Sequence, residues 1–197
     1  MNFILEYENC LSSDICEKII DLFEQHPEFQ NPGTTSLGVN ENWKKDTEIT
    51  LNPDLFIHPE WGDIMKVILS SLSSGLEEYK QKYTITNPDD TKSGIDAVQS
   101  WRIDWTYNIQ KYKPGEAYYV WHCEAAGKET SNRILAWMFY LNTVTDGGGT
   151  EFQFQDYKCK AEQGKLVIWP AAWTHYHRGE VSPTQTKYII TGWGSFV

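Results

Sequence analysis

Cysteine is scarce in this chain of 197 residues, and its placement argues against two classes of protein. The four cysteines are Cys10, Cys16, Cys123 and Cys159. They are too few and too scattered for a disulfide framework in a chain of this length. No pair has the Cys-x-x-Cys spacing of a structural zinc site. We therefore expect reduced thiols.

Basic residues and long apolar runs are also in short supply. Lysine and arginine total 17 against 27 aspartate and glutamate, which gives a formal net charge of −10. This charge repels nucleic acid and anionic membranes, so neither is an expected partner. The first residues lack a basic region, and no apolar run approaches the length of a membrane span. The sequence thus predicts a cytoplasmic protein that does not interact with membranes.

Aromatic residues, by contrast, are abundant and favour a β-rich core. Residues 1–97 contain one short apolar run, Asn2–Tyr7, and two helical patterns. The first predicted helix covers Ile15–Phe23 after possible N-caps at Ser12–Asp14, and the second runs from about Trp61 to Tyr79. We expect this half of the chain to be a helical support region.

From residue 98 onward, short β-branched and aromatic runs alternate with turn signals. The predicted strands are Trp101–Tyr112, Ala117–Glu124, Ile134–Leu141, Thr150–Phe154, Lys165–Trp169, Trp173–His177 and Lys187–Trp193. Such spacing indicates an antiparallel sandwich or small barrel. We predict a single domain over residues 1–197, mainly β with α (α+β). Residues 98–197 would form a jelly roll, the cupin-like double-stranded β-helix, braced by the N-terminal helices.

His122 and Glu124 are the first candidate metal ligands. Side chains two positions apart on a strand point to the same face, so both can reach one ion. By the same alternation His175 and His177 share a face, and either can supply a third ligand. Two imidazoles and one carboxylate are the set with which non-haem Fe(II) oxygenases hold one face of their metal.

Lys187 opens a predicted strand that carries Ile189, Thr191 and Trp193 on the same face. A lysine that faces a core without a partner loses much of its hydration energy. An anionic ligand inside the barrel would remove this conflict. The alternative is that Lys187 lies at a strand end and extends its amine to solvent.

Five short motifs follow one another along residues 107–196. They are Tyr112-x-Pro-Gly with Tyr119 and His122; Arg133 through Tyr140-Leu141-Asn142; Gly147 to Phe152; Gly164 to Pro170; and His177-Arg178-Gly179 ahead of Lys187-Tyr188. In order and approximate spacing they resemble the catalytic core of the 2-oxoglutarate- and Fe(II)-dependent dioxygenases, in particular the prolyl 4-hydroxylase-like branch. The N-terminal half matches that family only in general character.

The resemblance implies an iron site. His122 would be the proximal ligand, Glu124 the carboxylate ligand and His177 the distal ligand, with His175 as the fallback. The family's usual carboxylate is Asp, so Glu124 is a departure that is one methylene longer. That departure leaves open whether the site supports full activity.

The resemblance also implies a cosubstrate site. Lys187 would pair with the distal carboxylate of 2-oxoglutarate, and Tyr140 would hydrogen-bond the same group. Tyr112 would face the metal-bound end of the cosubstrate, or else serve as an ordinary core aromatic. Thr191, on the strand face of Lys187, is a further candidate for cosubstrate binding.

The implied activity is the hydroxylation of a C–H bond with Fe(II), 2-oxoglutarate and O2, with release of succinate and CO2. Ascorbate is a candidate additional cofactor. The substrate would be a peptide or a small molecule, with a peptidyl proline as the family's example. Loops 30–48 and 125–132 are candidates for substrate contact because loops at a barrel mouth are free to vary. Two other classes stay open: a cupin-like metal protein that uses no keto-acid, and a catalytically silent binding module.

Overall fold

Two helices from the N-terminal half pack on one face of a large β-sheet. The computed structural model describes residues 1–197, apart from the side chain of Phe56. Helix α1 spans Ser13–Gln25 and helix α2 spans Pro59–Lys82, so both predicted helices are confirmed and each extends beyond its predicted bounds. Ser12 caps α1 by accepting a hydrogen bond from the Ile15 N–H. No helix in the described residues combines the length and the apolar character that crossing a membrane requires.

The described residues form thirteen short strands and several 3-10 turns. The strands are β1 (Leu5–Tyr7), β2 (Asn31–Pro32), β3 (Thr47–Leu51), β4 (Ile85–Thr86), β5 (Lys92–Ser93), β6 (Trp101–Ile103), β7 (Tyr107–Tyr112), β8 (Arg133–Tyr140), β9 (Thr150–Phe152), β10 (Tyr157–Cys159), β11 (Leu166–Pro170), β12 (His177–Gly179) and β13 (Lys187–Phe196). The 3-10 turns cover Pro27–Phe29, Pro53–Ile57, Ile95–Ala97, Lys128–Thr130 and Trp173–His175.

The strands assemble into one major and one minor sheet, plus a small hairpin. The major sheet has the order β1-β11-β8-β13-β7-β3-β2, with β6 attached to β13. The minor sheet has the order β10-β9-β12, and β4 pairs with β5. Every pairing is antiparallel. The predicted fold class, a mainly antiparallel jelly roll with N-terminal helices, is confirmed.

The major sheet has two chemically different faces because side chains alternate along each strand. The outer face packs against both helices in one apolar cluster, to which Ile49, Ile109 and Ile190 contribute from adjacent strands. Gly75 lets α2 lie close to this face, since an added Cβ would be 2.4 Å from a methyl group of Leu166. The inner face contributes to a second, smaller apolar cluster together with the minor sheet. That inner face also carries the polar groups of the candidate site.

Two predicted strands that carry site residues have a different form. The segment Ala117–Glu124 pairs only through isolated bridges, one of them between His122 and His177. Beyond His122 the pairing does not continue, and the N–H groups of Glu124 and Ala125 both donate to the Ala171 carbonyl. The predicted strand Trp173–His177 was wrong over its first three residues, which form a 3-10 turn.

Two further differences from the predicted strands concern the segment Trp101–Tyr112 and strand β3. The predicted strand Trp101–Tyr112 is divided into β6 and β7 by an irregular segment at residues 104–106. Strand β3 was not predicted, yet it pairs with β7 over five residues. The region assigned to helical support therefore also completes the inner face of the barrel.

Candidate metal and cosubstrate site

His122, Glu124 and His177 converge on one point of the cavity between the sheets. The two histidines face each other across an antiparallel bridge, with backbone N–H···O distances of 3.0 and 2.9 Å, and their ring centroids are 4.2 Å apart. The Glu124 Oε1 atom lies 3.7 Å from His122 Nε2 and 3.2 Å from His177 Nε2. One donor atom from each residue lies within 4.8 Å of the other two. Two nitrogens and one carboxylate oxygen at this spacing fit a divalent ion such as Fe(II).

Backbone carbonyls fix the orientation of both imidazole rings. His122 Nδ1 lies 3.1 Å from the Val120 carbonyl, and His177 Nδ1 lies 2.9 Å from the His175 carbonyl. A carbonyl can only accept, so each Nδ1 carries a proton and each Nε2 is the ring nitrogen that faces the common point. The ring of Tyr118 stacks on His122 at a centroid distance of 3.6 Å, which restricts ring rotation further.

The protonation states also suit metal binding. Burial lowers the pKa of His122 to about 3, assisted by the neighbouring His177, so the His122 ring is neutral at pH 7. Burial alone would raise the pKa of Glu124, but its polar contacts with His177, His122 and Trp193 outweigh that effect and lower it to about 2. Metal ligands must be deprotonated, and these two are.

The second carboxylate oxygen of Glu124 is held from the other side. Trp193 Nε1 donates a 2.7 Å hydrogen bond to Glu124 Oε2. Arg133 lies over the Trp193 ring at 3.7 Å, and its Nη1 atom is 3.6 Å from the same oxygen. Arg133 had been identified only as the start of a motif, and no role had been predicted for Trp193.

A cavity of about 310 Å³ opens beside the three residues. Strand β13 contributes Lys187, Ile189, Thr191 and Trp193 to its wall, so the predicted shared face of this strand is confirmed. Both loops predicted to contact substrate also reach it, the first through residues 34–36 and the second through Ala126 and Thr130.

Lys187 is buried within this cavity and has no carboxylate partner among the described side chains. It is 4% exposed, and its Nζ atom lies 4.8 Å from the centre of the Tyr112 ring. Burial lowers the pKa of Lys187 to about 8, against the opposing effect of Glu180 and Asp46. An ammonium group that is held out of water and lacks a counter-ion is suited to an anionic ligand. The alternative prediction, that Lys187 reaches solvent, is wrong.

Tyr112 ends a chain of buried hydrogen bonds on the wall formed by β3 and β7. Its hydroxyl donates to Gln110 Oε1 at 2.9 Å, and Gln110 Nε2 donates to Glu48 Oε2 at 3.2 Å. Lys44 Nζ donates to the same Glu48 oxygen at 2.8 Å. Glu48 Oε1 accepts from the Thr34 N–H and hydroxyl, which connects the network to the loop at the cavity mouth.

The remaining predicted residues lie at different distances from this centre. Tyr140 is fully buried and does not line the cavity; its hydroxyl is 2.7 Å from the hydroxyl of Thr150, which does. Thr191 lines the cavity while its hydroxyl donates to the Trp137 carbonyl at 3.2 Å. His175 points away, with Nε2 2.9 Å from the Asn2 carbonyl. The predicted shared face of His175 and His177 was wrong because the 3-10 turn breaks the strand alternation.

Comparison with known proteins agrees with this geometry. Residues 107–195 match the family model of the 2OG-Fe(II) oxygenase superfamily. No curated protein matches the chain. Solved structures with the same fold include a viral collagen prolyl hydroxylase from Paramecium Bursaria Chlorella virus-1, solved as a 2OG complex. It is 15% identical, with a TM-score of 0.69 and coverage of 100% of this chain and 97% of the other.

Two further prolyl hydroxylases share the fold. A Pseudomonas putida prolyl-4-hydroxylase is 15% identical, with a TM-score of 0.69 and coverage of 99% of this chain and 94% of the other. A Trichoplax adhaerens prolyl hydroxylase, solved with a peptide fragment of the hypoxia inducible factor oxygen degradation domain, is 15% identical. Its TM-score is 0.72, with coverage of 99% and 84%.

The motif resemblance found in the sequence is therefore confirmed. Residues 107–195 match the 2OG-Fe(II) oxygenase superfamily, whose members use Fe(II), 2-oxoglutarate and O2. Along nearly its whole length the chain shares the fold of these three solved prolyl hydroxylases.

Proposed function

We propose that this chain is a single-domain hydroxylase, residues 1–197, that inserts oxygen into a C–H bond of a peptidyl proline. One observation carries the proposal: the same cavity is lined by the cluster of His122, Glu124 and His177 and by the buried ammonium group of Lys187. When bound, iron and 2-oxoglutarate would supply the oxidising chemistry, in which the keto-acid becomes succinate and CO2 while the substrate carbon gains oxygen.

The three clustered residues would hold the iron. Their Nε2 atoms and one ionised carboxylate oxygen face a common point, and the other ring nitrogen of each imidazole is already bonded to a backbone carbonyl. Ring positions are set by carbonyls and by the stacked Tyr118, which limits the rearrangement that binding requires.

Lys187 would bind the distal carboxylate of 2-oxoglutarate. Its burial without a described counter-ion supports this role, because a carboxylate would remove the cost of a desolvated charge. Thr191 stands two positions further on the same cavity wall. Tyr140 would act at the same carboxylate only in company with Thr150, which separates it from the cavity.

Tyr112 would border the cosubstrate rather than donate freely to it. Its hydroxyl proton is used by Gln110, and its ring lies beneath the Lys187 ammonium. The residue would thus shield the charge pair from water while its oxygen keeps an acceptor position.

A peptide is the substrate class that we favour. The cavity, at about 310 Å³, is near the lower limit of ligand pockets, roughly 300 Å³. Such a volume suits the cosubstrate and one inserted side chain, with the rest of the substrate outside against loops 34–36 and 126–130. Three of the fold neighbours are prolyl hydroxylases, and one of these was solved with a peptide.

A peptide panel tests the proposal. The chain would be incubated under air with Fe(II), 2-oxoglutarate and matched peptides that contain either proline or alanine at one position, and ascorbate would be included or omitted. We expect succinate release and a mass gain of one oxygen atom with proline peptides only, and neither with the His122→Ala variant. Equal succinate with both peptide sets would contradict the proline assignment, and no succinate with any substrate would contradict the hydroxylase.

A further inference from the structure

Glu124 has a longer side chain than aspartate, and its extra methylene gives the carboxylate more freedom. A longer side chain has another rotatable bond, so it can offer one oxygen, offer both, or turn away from the common point. A contact that fixes the second carboxylate oxygen of Glu124 therefore determines how many oxygens the side chain can offer to a metal. An inference about the fixing of this oxygen rests on the proposed function.

The two oxygens of Glu124 have separate partners. Oε1 faces the Nε2 atoms of His122 and His177, while Oε2 accepts the 2.7 Å hydrogen bond from Trp193. Glu124 is 13% exposed at its side chain, so water competes little for either oxygen. A charged acceptor makes this indole hydrogen bond stronger than one between neutral groups.

Trp193 is itself held in position. It lies on β13, which also carries Lys187, and its neighbour Gly194 pairs with Leu135 of β8. The Arg133 guanidinium covers its ring at 3.7 Å and reaches within 3.6 Å of Glu124 Oε2. Arg133 thus restricts the indole by stacking and offsets the carboxylate charge at the oxygen that faces away from the histidines.

We propose that Trp193 is a positioning residue for the metal site: it fixes Glu124 Oε2 so that Oε1 alone is presented between the two histidines. Arg133 supports it by stacking. Strand β13 therefore carries both the cation for the cosubstrate and the hydrogen-bond donor that orders the carboxylate ligand.

The test is a double-mutant cycle on metal affinity, which needs no turnover. Metal-free protein would be titrated with Co(II) for the unmodified chain, Trp193→Phe, Glu124→Ala and the double variant, after far-UV circular dichroism has shown each to be folded. Trp193→Phe keeps a ring for Arg133 but loses the N–H. We expect it to weaken Co(II) binding about 10- to 100-fold. In the Glu124→Ala background the same change should have almost no effect, because its target is gone.

Trp169→Phe is the matched control. Its indole packs against His177 at a centroid distance of 5.0 Å, but its N–H has no hydrogen-bond partner among the described residues. We therefore expect a much smaller loss of Co(II) affinity than for Trp193→Phe. An equal loss in both variants would show that ring volume, and not the N–H, matters, and would overturn the inference.

Two further outcomes decide the case. Unchanged Co(II) affinity in Trp193→Phe, or an equal loss with and without Glu124, would overturn the role of Trp193 while leaving the proposed function intact. An unmodified chain that binds no Co(II) would contradict the proposed function itself.

If Trp193→Phe does not fold, Glu124→Asp replaces it as the test variant. The shorter side chain cannot reach both the histidines and Trp193, so its Co(II) affinity should fall. Equal or higher affinity in Glu124→Asp would overturn the inference.

Discussion

The outer and inner faces of strand β13 show two different uses of the same backbone. Ile190 faces outward and is fully buried against the helices, where volume and fit determine its contribution. Lys187, three positions earlier, faces inward and is almost as buried, yet it contacts an aromatic ring and no described carboxylate. The outer face stabilises the fold, whereas the inner face holds groups whose favourable partners are ligands. The comparison predicts that substitutions on the two faces will have opposite consequences.

The largest expected effect is loss of the carboxylate on the inner side. Glu124→Ala should reduce succinate formation to background, because it removes one of the three proposed metal ligands. The matched control is Glu24→Ala on the outer side, where the carboxylate of α1 pairs with Lys111 and Tyr188 at the surface. That variant should retain turnover and lose about 1 kcal/mol of stability or less. Unchanged succinate in Glu124→Ala would exclude Glu124 as a ligand.

The second effect contrasts Lys187 with Ile190 directly. Lys187→Met should weaken 2-oxoglutarate binding about 100-fold, as expected for loss of one partner of a buried charge pair. The same change should raise the free energy of unfolding by roughly 1–3 kcal/mol, because burial lowers the pKa of the lysine, so its protonated form is disfavoured in the folded state.

Ile190→Ala should do the opposite. It removes buried methyl groups from the outer cluster and should lower the free energy of unfolding by about 2–5 kcal/mol, while the folded fraction binds 2-oxoglutarate normally. Urea unfolding and calorimetric titration measure both quantities. Destabilisation by Lys187→Met would show that the lysine has a structural partner, and would refute the contrast between the faces.

A smaller effect is expected from pH. The pKa of Lys187 lies at about 8, so the amine loses its proton as the pH rises through that value, and the charge that attracts the cosubstrate is lost. Between pH 7 and pH 9 the Kd for 2-oxoglutarate should increase about tenfold. Lys187→Arg should show a flat profile over this range, because arginine stays protonated. A parallel rise in that variant would assign the titration to another group.

The smallest effect concerns His175, which the sequence allowed as an alternative ligand. The Nε2 atom of His175 lies beside the Asn2 carbonyl. The side chain therefore helps to hold the N-terminal residues in place, and it points away from His122, Glu124 and His177. His175→Gln should keep Co(II) affinity and lose about 1 kcal/mol of stability, whereas His177→Gln should lose most of the affinity. Loss of affinity in His175→Gln would reverse the assignment.

The contrast between the faces also explains what the sequence revealed. Periodicity predicted both helices and most strands of the core, because an apolar stripe is a property of neighbouring residues. The five ordered motifs brought His122, His177 and Lys187 together, and strand alternation added Glu124 to His122. The order and spacing of motifs in a family indicate which distant segments meet in the fold, and periodicity within one segment cannot indicate this.

What the sequence did not reveal depends on contacts between distant segments. Strand β3 was missed, and with it the roles of Lys44 and Glu48, since their burial arises only when β3 pairs with β7. The side chains of His175 and His177 point in different directions because of a 3-10 turn at Trp173–His175, a segment whose sequence is typical of a strand. The hydrogen bond between Trp193 and Glu124 joins residues 69 positions apart, so nothing short of the fold predicts it.

The most direct measurement is an anaerobic titration of the metal-free chain with Fe(II) and 2-oxoglutarate, followed in the visible spectrum. If the three clustered residues hold iron beside Lys187, a weak charge-transfer band should appear only when both components are present, and should be absent in Glu124→Ala. No band in the unmodified chain at saturating concentrations of both would contradict a shared site for the metal and the keto-acid.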